Sequence, residues 1–267
     1  VKDADIVIFA SGISPSLEGE EMGVNLPGFK KGDRTDIELP AVQRELIDAL
    51  HRAGKKVILV NCSGSPIGLE PETQKCEAIL QAWYPGQQGG KAVAEVLFGD
   101  YNPAGKLPVT FYRNVSQLPD FEDYNMTGRT YRYMQDVPLF PFGYGLSYTT
   151  FGYGKTVLDK NELTAGQSLK LTVPVTNTGK RNGEEVVQVY LRKQGDAEGP
   201  IKTLRAFKRV SIPAGKTVNV EFDLKDKELE WWDDQSNTVR VCPGNYDIMV
   251  GGSSKEEDLQ RTTIAIK

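Results

Sequence analysis

The feature that most constrains the fold is a change of hydrophobic rhythm along the chain. Up to about residue 111 short apolar runs alternate with helical patterns, whereas beyond about residue 165 apolar and polar residues alternate one by one between turn signals. Ile6-Val-Ile-Phe-Ala10, Lys56-Val-Ile-Leu-Val60 and Ala78-Ile-Leu-Gln-Ala-Trp83 have the length and β-branched content of strands buried on both faces, which predicts parallel pairing. Between the first two, the run from Pro40 to Leu50 puts Val42, Leu46, Ile47 and Leu50 on one helical face, with Pro40 near the first turn and Gly54 as a stop. From Gly89 to Phe98, Ala92, Val93, Val96 and Leu97 form a second such face, and Gly99 ends it. These read as crossover helices of a layered α/β domain over residues 1–111. No strand is followed by Gly-x-Gly-x-x-Gly, and Ser63-Gly-Ser-Pro66 is too short and proline-bound to cradle a pyrophosphate.

Residues 165–267 read as a separate β-domain. Leu169-Lys-Leu-Thr-Val-Pro-Val-Thr-Asn177 alternates in and out, Thr178-Gly-Lys turns the chain, and Glu185-Val-Val-Gln-Val-Tyr-Leu191 runs back. Further strands are expected from Leu204, Val218, Thr238, Gly244 and Thr262, a spacing that indicates a β-sandwich of immunoglobulin-like type. Trp231 and Trp232 invite a carbohydrate-binding reading, although such a pair more often supplies a core and its edge. Between the two domains, residues 112–164 are rich in proline, glycine and tyrosine, the composition of a long ordered connection. Its Tyr124, Arg129, Tyr131, Arg132 and Tyr133 suit a sugar platform; stapling the connection to its surroundings is the commoner role.

With 39% hydrophobic residues, 25% charged residues and a net charge of -4, the chain has no electrostatic bias toward nucleic acid or anionic membranes. No apolar run approaches the roughly 20 residues of a membrane-spanning helix. Cys62, Cys76 and Cys242 lack the paired spacing of a zinc site and read as small core residues. The single histidine, His51, belongs near a helix C-terminus, so neither a Ser-His-Asp triad nor a histidine metal site is expected. No cofactor and no catalytic metal is expected either. Any catalysis then falls to carboxylates, and Glu18, Glu20 and Glu21 crowd into a loop just after the first strand, where open α/β sheets place their chemistry. Partial shielding by Leu17, Met22 and Phe29 should keep a glutamate there protonated near neutral pH, as a proton donor requires; a solvated acidic loop is the plainer alternative. Opening on Val1-Lys-Asp-Ala-Asp, directly before a strand pattern, the chain is expected to begin inside a domain.

Taken together, five motifs in order resemble the C-terminal half of a glycoside hydrolase family 3 enzyme of β-glucosidase/β-xylosidase type. They are Leu17-Glu-Gly-Glu-Glu-Met22; Gly32-Asp-Arg-Thr-Asp-Ile-Glu-Leu-Pro40 leading into a helix with Gln43; Trp83-Tyr-Pro-Gly-Gln-Gln-Gly-Gly90; Pro103-Ala-Gly-Lys-Leu-Pro108; and Phe140-Pro-Phe-Gly-Tyr-Gly-Leu-Ser-Tyr-Thr-Thr-Phe151. The resemblance implies an N-terminally truncated α/β sandwich domain followed by a fibronectin type III-like domain. It further implies an upstream (β/α) barrel, absent from this chain, that carries an aspartate nucleophile. This chain would supply the general acid/base of a retaining, exo-acting enzyme, with Glu20 aligning best and Glu18 or Glu21 as alternatives. Asp33 and Arg34 are assigned to holding the loop. The implied partners are an oligosaccharide or aryl β-glycoside and the missing barrel, with no nucleic acid and no membrane, and the implied location is secreted or periplasmic. Residues that bind the substrate are not identified, and the choice between xyloside and glucoside stays open. Two rival readings are a non-catalytic carbohydrate-binding or scaffolding fragment, and a small α/β ligand-binding domain fused to an adhesive sandwich.

Overall fold

The computed structural model describes residues 1–18 and 23–267. The chain divides into two compact units: Val1–Tyr101, Thr110–Tyr124 and Asp136–Phe140 in the first, and Asn102–Val109, Asn125–Gln135 and Pro141–Lys267 in the second. The 112–164 stretch is thus distributed over both.

The first unit is α/β. Three parallel strands, β1 (Ile6–Gly12), β2 (Lys56–Cys62) and β3 (Cys76–Gln81), lie in the order β1-β2-β3. Their register pairs Ile8 with Ile58 and Ile58 with Ala78. Helix α1 (Ala41–Arg52) connects β1 to β2, starting directly after Pro40, and α2 (Gly89–Leu97) follows β3. Parallel neighbours need such crossovers because a short turn cannot return the chain to the same end of the sheet. On one face Phe9, Leu59 and Ile79 pack with Ile47 of α1 and with Ile13, Leu39, Ile67 and Leu69.

Several expectations are corrected here. Burial on both faces holds for much of the central β2, where Val57, Leu59 and Val60 are buried, but fails at the outer strands: Ile6 and Ile8 of β1 are 54% and 48% exposed, and no residue of β3 is buried. On α1, Ile47 and Leu50 are buried whereas Val42 and Leu46 are exposed, and no residue of α2 is buried. The third strand starts two residues early and stops at Gln81, so Trp83 lies beyond it with φ 56°. Cys242 is a core residue, but Cys62 and Cys76 are only half-buried.

The second unit is a two-sheet β-sandwich. Strands β4 (Leu169–Asn177), β5 (Gly183–Lys193), β6 (Thr203–Ile212), β7 (Thr217–Leu224), β8 (Gly244–Gly251) and β9 (Gln260–Ile266) form its body. One sheet runs β6-β5-β8-β9 and adds the short Glu162–Leu163 strand at its edge; the other pairs β7 with β4 and adds Phe151–Tyr153 and Val157–Leu158. Strict alternation in β4 sends Leu169, Leu171, Val173 and Val175 inward, where they meet Val187, Val189 and Leu191 of β5, Ile248 of β8 and Ile264 of β9. The strand expected from Thr238 is present at Thr238–Arg240, but its partner Trp231–Asp233 and the short edge strands are additions that the periodicity did not announce.

Two of the proline- and glycine-rich motifs meet within this unit. The Leu107 N–H donates to the Tyr144 carbonyl and the Gly143 N–H to the Leu107 carbonyl, both at 2.8 Å. Gly143 has φ +79° and a Cβ there would fall 2.0 Å from Gln188 Oε1, so only glycine fits. Gln188 is buried, donates to the Gly252 carbonyl and accepts from the Tyr190 hydroxyl at 2.6 Å. Tyr131 stacks on Phe142 with centroids 4.4 Å apart and accepts from the Leu204 N–H, so within this unit it serves as a staple, while Tyr124 is 89% exposed.

Candidate active-site loop

Parallel strands that share a direction place the loops after their C-terminal ends side by side. The loop after β1 carries Glu18 and the loop after β2 carries Ser63-Gly-Ser-Pro66, and the two are joined through the Glu18 carboxylate. Its Oε2 accepts from the Gly64 N–H at 2.8 Å and its Oε1 from the Ser65 N–H at 3.0 Å, while the Ser65 and Tyr84 hydroxyls both donate to it as well. Gly64 permits the approach: a Cβ there would meet Tyr84 Cε2 at 2.7 Å and Glu18 Oε2 at 2.8 Å. The turn that cannot hold a pyrophosphate holds a carboxylate instead.

Burial by itself would raise the Glu18 pKa, but the hydrogen bonds from Ser65, Tyr84 and the two backbone N–H groups outweigh it and hold the carboxyl below its ordinary range. Glu18 is therefore ionised at neutral pH, the reverse of the shielding expected for this loop, and anchors its stem. Leu17 packs on the core beneath. Burial and the facing Glu18 charge push the Tyr84 phenol up to about 12, so it stays a donor. Glu20 and Glu21 lie outside the described residues.

The segments that flank the loop are held from the side. The Gln43 side chain donates to the Gly12 carbonyl at 2.7 Å and accepts from the Gly12 N–H at 3.1 Å, which fixes the end of β1 against α1. Asp33 and Arg34 form a two-residue strand paired with Phe29 and Lys30. Arg34 donates to the Glu38 carbonyl at 2.8 Å and lies over the Phe29 ring, and among the described residues its buried Nε and Nη1 have no hydrogen-bond partner. No ion pair joins Asp33 to Arg34 among the described residues; the guanidinium instead feels the charges of Glu18, Asp36 and Glu38.

Behind this corner sits a network that sequence reasoning missed. Glu72 is fully buried and receives a forked pair of hydrogen bonds from Arg44, Nε to Oε1 at 2.7 Å and Nη2 to Oε2 at 3.0 Å. The same guanidinium bridges to Glu38 at 2.6 Å and to the Gly68 carbonyl at 2.9 Å. A buried carboxylate needs such a partner, and the planar fork of arginine supplies it. His51 lies exposed in the last turn of α1, as a C-terminal dipole partner should. Among the described residues no helix is long and apolar enough to cross a membrane.

A carboxylate-bearing loop at the C-terminal edge of a parallel sheet, followed in sequence by a sandwich, defines a two-domain α/β plus all-β protein. Residues 1–148 match the glycosyl hydrolase family 3 C-terminal domain and residues 185–254 match the fibronectin type III-like domain. The chain belongs to glycoside hydrolase family 3, as its C-terminal part. It is 58% identical over 266 residues to a xylan 1,4-beta-xylosidase of Xylanibacter ruminicola, covering 100% of this chain and 30% of that protein. It is 37% identical to a periplasmic beta-glucosidase of Salmonella typhimurium, covering 95% of this chain and 33% of that one. Among solved structures, a beta-glucosidase from Erythrobacter marinus superposes with a TM-score of 0.85 at 39% identity, over 100% of this chain and 35% of that chain. A beta-glucosidase from Listeria innocua in complex with glucose gives 0.82 at 29% identity, over 100% and 37%. The chain therefore spans about a third of the length of the relatives it matches.

Proposed function

We propose that this chain is the C-terminal portion of a retaining, exo-acting β-glycosidase that removes terminal β-linked xylose or glucose from plant-type oligosaccharides. It supplies the general acid/base, Glu20, and not the aspartate nucleophile, which we assign to a preceding (β/α) barrel of the same protein. The observation that carries the reading is the lock on Glu18: an ionised carboxylate held by Gly64, Ser65 and Tyr84 is an anchor. It fixes the position two residues before Glu20 in the sequence. Similarity to a xylan 1,4-beta-xylosidase over the whole chain favours a xyloside as the better substrate. The exposed face of the parallel sheet at Ile6 and Ile8 is consistent with further chain packing there, since parallel sheets are normally covered on both sides.

In the mechanism that follows, the Glu20 carboxylic acid gives its proton to the departing glycosidic oxygen while the upstream aspartate forms a bond to the anomeric carbon. The resulting Glu20 carboxylate then takes a proton from a water molecule that displaces the aspartate, and the sugar leaves with its configuration retained. Such chemistry needs the two carboxyl groups about 5 to 5.5 Å apart. Asp33 and Arg34 we assign to holding the loop, Arg34 through its hydrogen bond to the Glu38 carbonyl. A secreted or periplasmic location fits polymer-derived substrates and the periplasmic relative.

Hydrolysis of aryl β-xyloside, aryl β-glucoside and xylobiose by the full-length protein, its Glu20→Ala variant and this chain alone tests the reading. The chain should be silent. The variant should lose about 10²–10⁴-fold on xylobiose, whose leaving group needs protonation, and far less on an activated aryl glycoside. Turnover by the isolated chain would place a nucleophile among its own carboxylates and end the half-site reading.

A further inference from the structure

The two adjacent tryptophans part company in the structure. Residues Trp231–Asp233 pair with Thr238–Arg240 in a hairpin, and successive side chains of a strand point to opposite sides. Trp231 turns inward: it is 2% exposed, meets the Tyr246 ring edge-on at 6.0 Å and donates its indole N–H to Asp196 at 2.6 Å. Trp232 turns outward and is 49% exposed. Its Nε1 nevertheless donates to Asp234 Oδ1 at 2.8 Å, so the ring is held in place while part of its surface stays open.

Beside that ring lies a cavity of about 380 Å³, between the 193–196 turn that ends β5 and the 232–235 tip of the hairpin. The volume falls within the roughly 300–1,000 Å³ of small-ligand sites. Gln194, which donates to Asp247 at 2.7 Å, keeps an amide oxygen as acceptor. Among the described residues the side chains of Lys193 and Gln235 have no hydrogen-bond or ion-pair partner. A fixed indole beside amides, a carboxylate and an ammonium group is the chemistry that recognises a sugar ring, whose C–H face stacks on the aromatic while its hydroxyls both donate and accept. Asp233 is paired with Arg240 at 2.6 Å, which leaves Asp196 and Asp234 against Lys193 and a mildly acidic lining that disfavours uronates and phosphates.

We propose that this cavity is a glycan-binding subsite of the fibronectin type III-like domain, taking neutral β-linked pyranosides with Trp232 as the stacking platform. It would tether a polymeric substrate and raise its local concentration at a separate catalytic pocket. The choice of sugar class rests on the glycosidase reading.

Calorimetric titration of the 267-residue chain with xylohexaose, cellohexaose and hexagalacturonate tests the site. Saturable binding of at least one neutral hexasaccharide is expected, with affinity reduced at least about tenfold by Trp232→Ala and largely kept by Trp232→Phe. Glu20→Gln should leave the titration unchanged. No saturable heat up to about 10 mM hexasaccharide would overturn the proposal. So would equal binding by a Trp232→Ala variant whose circular dichroism matches the parent chain, or equal binding of hexagalacturonate. Xylobiose hydrolysis by the full-length protein separates the two readings: hexasaccharide binding without any hydrolysis leaves the subsite standing and removes the glycosidase assignment.

Discussion

The two units solve the problem of covering a sheet in opposite ways. In the sandwich each sheet covers the other, so Leu171, Val173, Val189 and Ile248 are all essentially inaccessible. In the α/β unit one face of the three-stranded sheet packs on α1, and the other presents Ile6 and Ile8 to solvent, while Val42, Leu46 and Phe98 are also exposed. Antiparallel hairpins bring both covering layers from a single stretch of chain, whereas a parallel sheet depends on helices and further strands drawn from elsewhere. Self-sufficiency is thus a matter of topology more than of hydrophobic content.

The comparison breaks most sharply at the buried ion pair. Arg44→Ala leaves the buried Glu72 carboxyl without its arginine partner, and should cost the α/β unit about 3–5 kcal/mol. Leu171→Ala in the sandwich core should cost that unit about 2–5 kcal/mol. Chemical denaturation followed by hydrogen exchange should show each change confined to its own unit; a single transition shifted by both would mean that the units unfold as one.

A smaller effect concerns pH. Because hydrogen bonds lower the Glu18 pKa in the folded state, the unfolded chain binds more protons between the folded value and the ordinary 4.5. The stabilisation is therefore complete above about pH 4.5 and fades as pH falls through the folded value. Subtracting the stability curve of Glu18→Gln from that of the parent should give a difference that falls on acidification across this window and is flat above it. A flat difference throughout would show that the Gly64 and Ser65 contacts do not favour the charged form.

The smallest effect sharpens the contrast of covered and uncovered faces. Ile8→Thr should change the stability of this chain by no more than about 0.5 kcal/mol, as for a surface position. In the full-length protein the same change should be more costly wherever further chain covers that face. Equal small effects in both would show that the face stays open.

Legibility in the sequence followed the range of the interaction. The run from Leu169 to Asn177 is a strand with the expected limits, because its period of two is written in consecutive residues. The same rule separates Trp231 from Trp232, but their order, one in and one out, depends on Tyr246 of β8 and Asp196 of the turn after β5. For α1 the periodic face was readable, yet only Ile47 and Leu50 found a partner there. The acidic loop was visible as composition. Its chemistry was not, since the groups that hold Glu18 lie 46 to 66 positions away along the chain.

Local rhythm alone therefore assigned the α/β half and the β half, the existence of the main sandwich strands, and the loop after β1 as the place where carboxylates gather. Three-dimensional packing settled that Glu18 is an ionised anchor, that Glu72 is buried against Arg44, and that a single indole of the tryptophan pair faces solvent. Periodicity is encoded between neighbours, but the solvation and hydrogen bonding that fix a carboxylate's charge or a ring's exposure come from residues that only the folded chain brings within a few ångströms.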